Sequence, residues 1–172
     1  MARNVEIKAR VDSLEAIEPL AAALSGQEPV PIAQDDTFFA CPNGRLKLRA
    51  FADGSGELIF YRRSDETGPK ESFYVISRTD TPDTLREALA QAYGTIGRVR
   101  KHRLLFMAGR ARIHLDRVEG LGEFLELEVV LRDGESPDAG MEEARSLMDG
   151  LGVAPQQLVS GAYLDLLARR SP

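Results

Sequence analysis

A single cysteine, Cys41, stands in a chain of 172 residues that has no tryptophan and only two histidines. One thiol cannot close an intramolecular disulfide, which suits a reducing compartment, so a cytoplasmic location is expected. Two histidines and one cysteine also fall short of a zinc cluster of the usual kind. A bound metal is then expected to be a hard cation held by carboxylates. No apolar run approaches the roughly 20 residues of a membrane span. The opening MARNVEIKARV lacks the apolar core of a signal peptide, and no membrane partner is expected. The formal charge of −5 is opposite in sign to the basic footprint of a nucleic-acid binder, which argues against a nucleic acid polymer as partner. No repeat or low-complexity tract divides the chain, and residues 1–172 read as one domain able to bury a sizeable core.

What the sequence does hold is alternation. Segments 3–11, 32–41, 45–51, 57–63, 72–78, 96–107, 110–118 and 124–131 alternate polar and apolar residues as strands do. Turn chemistry separates them, for example Pro42-Asn43-Gly44 and Asp53-Gly54-Ser55-Gly56. Segments 13–24, 81–93, 141–151 and 155–168 read as helices, the first capped by Asp12 with Pro19 as a kink or late start. Eight antiparallel strands with short connections give an α+β protein, either a sandwich or a closed barrel with helices packed outside.

The polar face of these strands is heavily charged and mixes signs. Asn4, Glu6, Lys8 and Arg10 share one face; so do Arg45, Lys47 and Arg49, Lys101 and Arg103, and Arg110, Arg112, His114 and Asp116. Glu126 and Glu128 lie side by side on the face of Phe124, where they repel unless something positive intervenes. In one reading these faces are simply solvated. In the other they line a barrel lumen, where cations and carboxylates would meet a polyphosphate and a divalent metal. Periodicity alone does not choose. Arg62 and Arg63 fall on opposite faces, so only one can point inward, while Lys70 and Arg78 are expected in solvent, with a tunnel mouth as the alternative for Lys70 beside Gly68-Pro69. His114 is weighed as a proton carrier against a residue that only hydrogen-bonds a neighbour.

The stretches VEIKARV, RLKLR, ELIFYRR, KHRLLF, IHLDRVEGLGEFLELEVV and SGAYLDLL, in that order, resemble the CYTH superfamily, the triphosphate tunnel metalloenzymes, and look closest to its bacterial cyclase-type branch. The resemblance implies an eight-stranded antiparallel closed barrel with helices outside, in a family that often forms homodimers. It also implies Mg²⁺ or Mn²⁺ as cofactor and ATP or another triphosphate or polyphosphate as partner. It matches Lys8, Lys47, Arg49, Arg62, Lys101 and Arg103 to triphosphate-binding positions, and Glu6, Glu126 and Glu128 to metal ligands. Lys8, Asp116 and Glu126 are implied as catalytic. A class IV adenylate cyclase-like conversion of ATP to cyclic AMP and pyrophosphate is the first expectation. Hydrolysis of inorganic tripolyphosphate or thiamine triphosphate, and triphosphate binding with little turnover, are the alternatives. The first acidic position of the family's ExExK strand is Asn4 here, which removes one carboxylate and counts against hydrolysis.

Overall fold

The computed structural model describes residues 2–63 and 67–170. Its strands are β1 (Ala2–Arg10), β2 (Val30–Phe39), β3 (Arg45–Phe51), β4 (Gly56–Arg63), β5 (Lys70–Thr79), β6 (Thr95–Ala108), β7 (Ala111–Val118) and β8 (Gly122–Val130). They close into a barrel in the order β1-β5-β4-β3-β2-β6-β7-β8. Every neighbouring pair is antiparallel, including β8 with β1, so no strand edge is left to pair with another chain. The helices are α1 (Leu14–Ser25), α2 (Pro82–Tyr93), α3 (Pro137–Gly150) and α4 (Tyr163–Arg170).

The apolar faces of the strands point outward. Ile7, Ala9, Ile113, Leu115, Leu125 and Leu127 form a core with Leu14, Ile17 and Ala21 of α1 and with Met148 of α3. Val5, Ala111, Val129 and Leu131 pack under Ala144 of α3. Each such Leu, Ile, Val or Met side chain withdrawn from water stabilises the fold by about 1.5–3 kcal/mol, so the helices hold the wall from outside. The alternate residues, Asn4, Glu6 and Lys8 on β1 and Glu126 and Glu128 on β8, are left facing the lumen. Register then sets Lys8 opposite Glu126 and Arg49 opposite Asp36, placing unlike charges side by side.

Element ends differ from the sequence expectation where local chemistry is stronger than periodicity. The cap of α1 is Ser13, whose hydroxyl accepts from the Ala16 N–H, and Pro19 sits inside a continuous helix. Helix α3 starts earlier than expected because Ser136 caps it and Pro137 suits the first turn. The expected helix over 155–168 is interrupted: Pro155–Gln157 form one 3₁₀ turn and α4 begins only at Tyr163. Between them the chain runs along β1, with the Val159 N–H donating to the Lys8 carbonyl at 3.0 Å, and Gly161 takes φ +87°, a conformation side chains disfavour. Helix α4 then lies against one end of the barrel, packing Tyr163, Leu164 and Leu167 on Phe38, Val99 and Phe124. Gly97 permits this approach, since a Cβ there would lie 2.2 Å from Leu164 Cδ1. No helix among the described residues is long and apolar enough to cross a membrane.

Candidate functional site

The lumen encloses a cavity of about 410 Å³ to which all eight strands and Tyr163 contribute. Eight basic side chains line it (Lys8, Lys47, Arg49, Arg63, Arg78, Lys101, Arg103 and Arg112) against five acidic ones (Glu6, Asp36, Glu57, Glu126 and Glu128). The inward reading of the charged face is therefore the right one, and the surplus is positive in a protein whose formal charge is −5.

Two charge clusters organise the cavity. In the first, Asp36 is 1% exposed and accepts from three cations. Arg49 donates through two nitrogens at 2.8 Å each, Lys47 Nζ lies at 2.9 Å and Lys101 Nζ at 3.3 Å. Burial opposes ionisation of Asp36, but Arg49, Lys101 and Lys47 outweigh it and hold the carboxyl well below its usual range. Burial pushes the Lys101 amine down to about 7 and the Lys47 amine to about 8, against the pull of Asp36. Arg49 lowers both further.

In the second cluster, Lys8 Nζ lies 3.5 Å from Glu126, 3.3 Å from the Gly161 carbonyl and 4.1 Å from the centre of the Tyr163 ring. Arg103 donates to both oxygens of Asp116 at 2.6 and 2.7 Å, and the Tyr163 hydroxyl donates to Asp116 at 2.7 Å. Arg63 donates to Glu6, and Arg112 to Glu128 at 3.3 Å. Burial, with Glu126 and Glu6 adding, pushes the Glu128 carboxyl up. Burial also pushes Glu126 up, but Lys8 and Arg103 prevail and hold it well below its usual range. His114 is held far below its ordinary value by burial and by Arg103, so its imidazole is neutral.

The expected phosphate-binding side chains Lys8, Lys47, Arg49, Lys101 and Arg103 converge on the cavity, but Arg62 does not. Arg62 is exposed on the outer face of β4, and Arg63 is the inward member of the pair, in step with Glu57, Ile59 and Tyr61. Asp116 is placed differently from the other expected site residues: it is 0% exposed, stands behind Arg103 and is absent from the cavity wall, where it holds that guanidinium. Glu6 does not join the metal-like group. Ligand atoms of His114, Glu126 and Glu128 lie within 4.8 Å of one another, whereas Glu6 is taken by Arg63. These three residues suit a divalent cation, and Asn4 Oδ1, buried in the same lumen, has no hydrogen-bond partner. Lys70, expected in solvent, is buried, while Arg78 is exposed at the rim. His102 is exposed on the outer face, and Cys41 lies outside the cavity.

Asp36 and Tyr163 went unnoticed in the sequence as site residues. Asp35-Asp36 is a pair that alternation must split, one to the outer Arg98 and one to the lumen, and the unbalanced basic strand RLKLR was the available signal. Tyr163 lies in SGAYLDLL, whose contact with the lumen depends on the non-helical stretch between Gln157 and Tyr163.

The sequence model of the CYTH domain matches residues 2–163. A Methanocaldococcus jannaschii protein, provisionally described as an adenylate cyclase, is 32% identical over 68 residues, 40% of this chain and 39% of its own length. The chain thus matches only about two-fifths of that relative. Among solved structures, the PH1012 protein of Pyrococcus horikoshii superposes with a TM-score of 0.85 at 22% identity, covering 95% of this chain and 99% of its own. A Hippeastrum protein, first described as an adenylyl cyclase and found to have a dominant triphosphatase activity, gives 0.69 at 17% identity, covering 98% and 97%. With the family match spanning nearly all of a chain that folds as an eight-stranded, charge-lined barrel, this protein belongs to the CYTH domain family.

Proposed function

We propose that the chain, as one domain, is a divalent-metal-dependent enzyme acting on an organic triphosphate, with cyclase-like conversion of ATP to cyclic AMP and pyrophosphate as the first reading. The carrying observation is the surplus of basic over acidic side chains lining the lumen cavity. Such a surplus is costly without an anion, and a triphosphate supplies about four negative charges where they are needed. Lys8, Lys47, Arg49, Lys101 and Arg103 bind the phosphates, joined by Arg63 in place of Arg62. Arginines fork onto two oxygens and orient; lysines act as compact point charges. Asp116 and the Tyr163 hydroxyl keep the Arg103 guanidinium in one plane. Glu126 and Glu128 hold Mg²⁺ or Mn²⁺, which when bound offsets charge on the phosphates.

The apolar part of the wall, Phe51, Ile59, Tyr74 and Ile76, gives a base or ring somewhere to lie, which favours an organic triphosphate over inorganic tripolyphosphate. In the cyclase reaction the ribose 3′-hydroxyl oxygen bonds to the α-phosphorus as the bond to the pyrophosphate oxygen breaks, and the hydroxyl proton is released to solvent. Nothing covalent is asked of the protein, so positioning and charge dominate. Hydrolysis is the second reading, supported by the triphosphatase activity of the Hippeastrum protein. Incubation with ATP and Mn²⁺ decides between them. Cyclic AMP with pyrophosphate is the expected product, free phosphate selects the hydrolase, and tight ATP binding without any product leaves a binding module.

A further inference from the structure

We infer that His114 supplies an imidazole nitrogen to the metal position, making it a mixed nitrogen and oxygen site for borderline dications such as Zn²⁺ and Co²⁺. The inference deepens the metal dependence proposed above, but the contact it names can be measured with no substrate present. Strand register explains the juxtaposition. His114 on β7 is the direct partner of Glu126 on β8, and Glu128 follows two residues on along the same face. A ligand atom from each lies within 4.8 Å of the others.

Two unsatisfied groups point to a missing occupant. His114 is 4% exposed and its Nδ1 has no hydrogen-bond partner; Asn4, also 4% exposed, leaves Oδ1 without one. Buried polar atoms ordinarily find partners; Gln34 Oε1, elsewhere on the same cavity wall, is a third orphan, and His114 Nδ1 is the one that belongs to the metal-like group. Lys8 and Arg103 approach Glu126 through Oε2, and Arg112 approaches Glu128 through Oε2. With only two carboxylates among its three ligands the group carries little anionic charge, which disfavours Mg²⁺, the hard ion that relies on oxygen anions. Imidazole restores affinity only for softer ions.

Labelling with ¹⁵N-histidine gives two side chains to follow by NMR, His114 and the exposed His102, and His102→Gln assigns them. One equivalent of Zn²⁺ alone is expected to shift a ring nitrogen of His114, and Mg²⁺ alone is not. In calorimetry, His114→Gln should weaken Zn²⁺ binding roughly tenfold or more while leaving Mg²⁺ binding little changed. An unmoved His114 resonance in the wild-type protein overturns the inference even if the variant fails to fold, as does unaltered Zn²⁺ affinity in a folded variant. Absence of any product from ATP would count against the proposed function and leave the His114 shift standing.

Discussion

Replacing Asp36 by Asn is expected to lower the melting temperature of the ligand-free protein by roughly 5–15 °C. The carboxylate is buried among Arg49, Lys47 and Lys101, and no other acid contacts any of those three among the described ion pairs. An amide of nearly the same shape keeps the packing and removes the charge. Breaking a buried ion pair from one side costs about 3–5 kcal/mol because the remaining charge is left uncompensated. The two lysines can soften that cost by giving up protons, since burial already holds Lys101 near 7 and Lys47 near 8. Arg49 cannot. Tripolyphosphate should therefore restore more of the melting temperature in the variant than it adds to wild type, because it supplies the charge that Asp36 supplied. A variant that melts with wild type, or one that tripolyphosphate fails to rescue, would show that these cations do not form the binding surface.

The second large effect is on turnover. Lys8→Met keeps an unbranched side chain over the Tyr163 ring while deleting the ammonium beside Glu126. Removing one preorganised charge from a water-poor site typically costs about 10²–10³-fold in kcat, and that loss is expected for whichever product the ATP assay reveals. Stability should fall as well, because buried Glu126 loses its nearest cation, and Arg103, at 3.9 Å and already bonded to Asp116, offsets that loss only in part. Wild-type turnover by the folded variant would remove Lys8 from the reaction.

Much of this site was legible because strands alternate strictly. Once the charged face of β1 is inward, Glu6 and Lys8 must share the lumen, and the same holds for Lys47 with Arg49 and for Glu126 with Glu128. The resemblance supplied the direction that periodicity lacks. Where two adjacent residues are chemically alike, as in Arg62-Arg63 and Asp35-Asp36, alternation separates them without saying which goes in. Phase is set by cross-strand register, here Arg62 opposite Phe73 and Arg63 opposite Ser72, and register is a property of two strands at once. Asp116 illustrates a further limit: it lies on the predicted face, but side-chain length decides the rest. The short aspartate stops at the wall, and the long Arg103 reaches past it. The contribution of Tyr163 depended on the non-helical stretch between Gln157 and Tyr163, which a helix-like pattern over 155–168 conceals.

Entry of the triphosphate into the lumen has a signature that surface binding lacks. Lys101 faces Asp36 from β2, Lys47 and Arg49 from β3, Arg103 from its own strand and the Tyr163 ring from α4. Burial lowers its amine to about 7 and that of Lys47 to about 8, so at about pH 8 neither is fully charged, and a polyanion between them raises both. Calorimetric titration with ATP, in EDTA and in two buffers of different ionisation enthalpy, should report uptake of roughly one proton per ATP bound. Affinity should fall as the pH rises further. Heats that do not depend on the buffer would place the nucleotide elsewhere, for example on the exposed Arg98 and Arg100 of the outer wall, and would contradict the tunnel account.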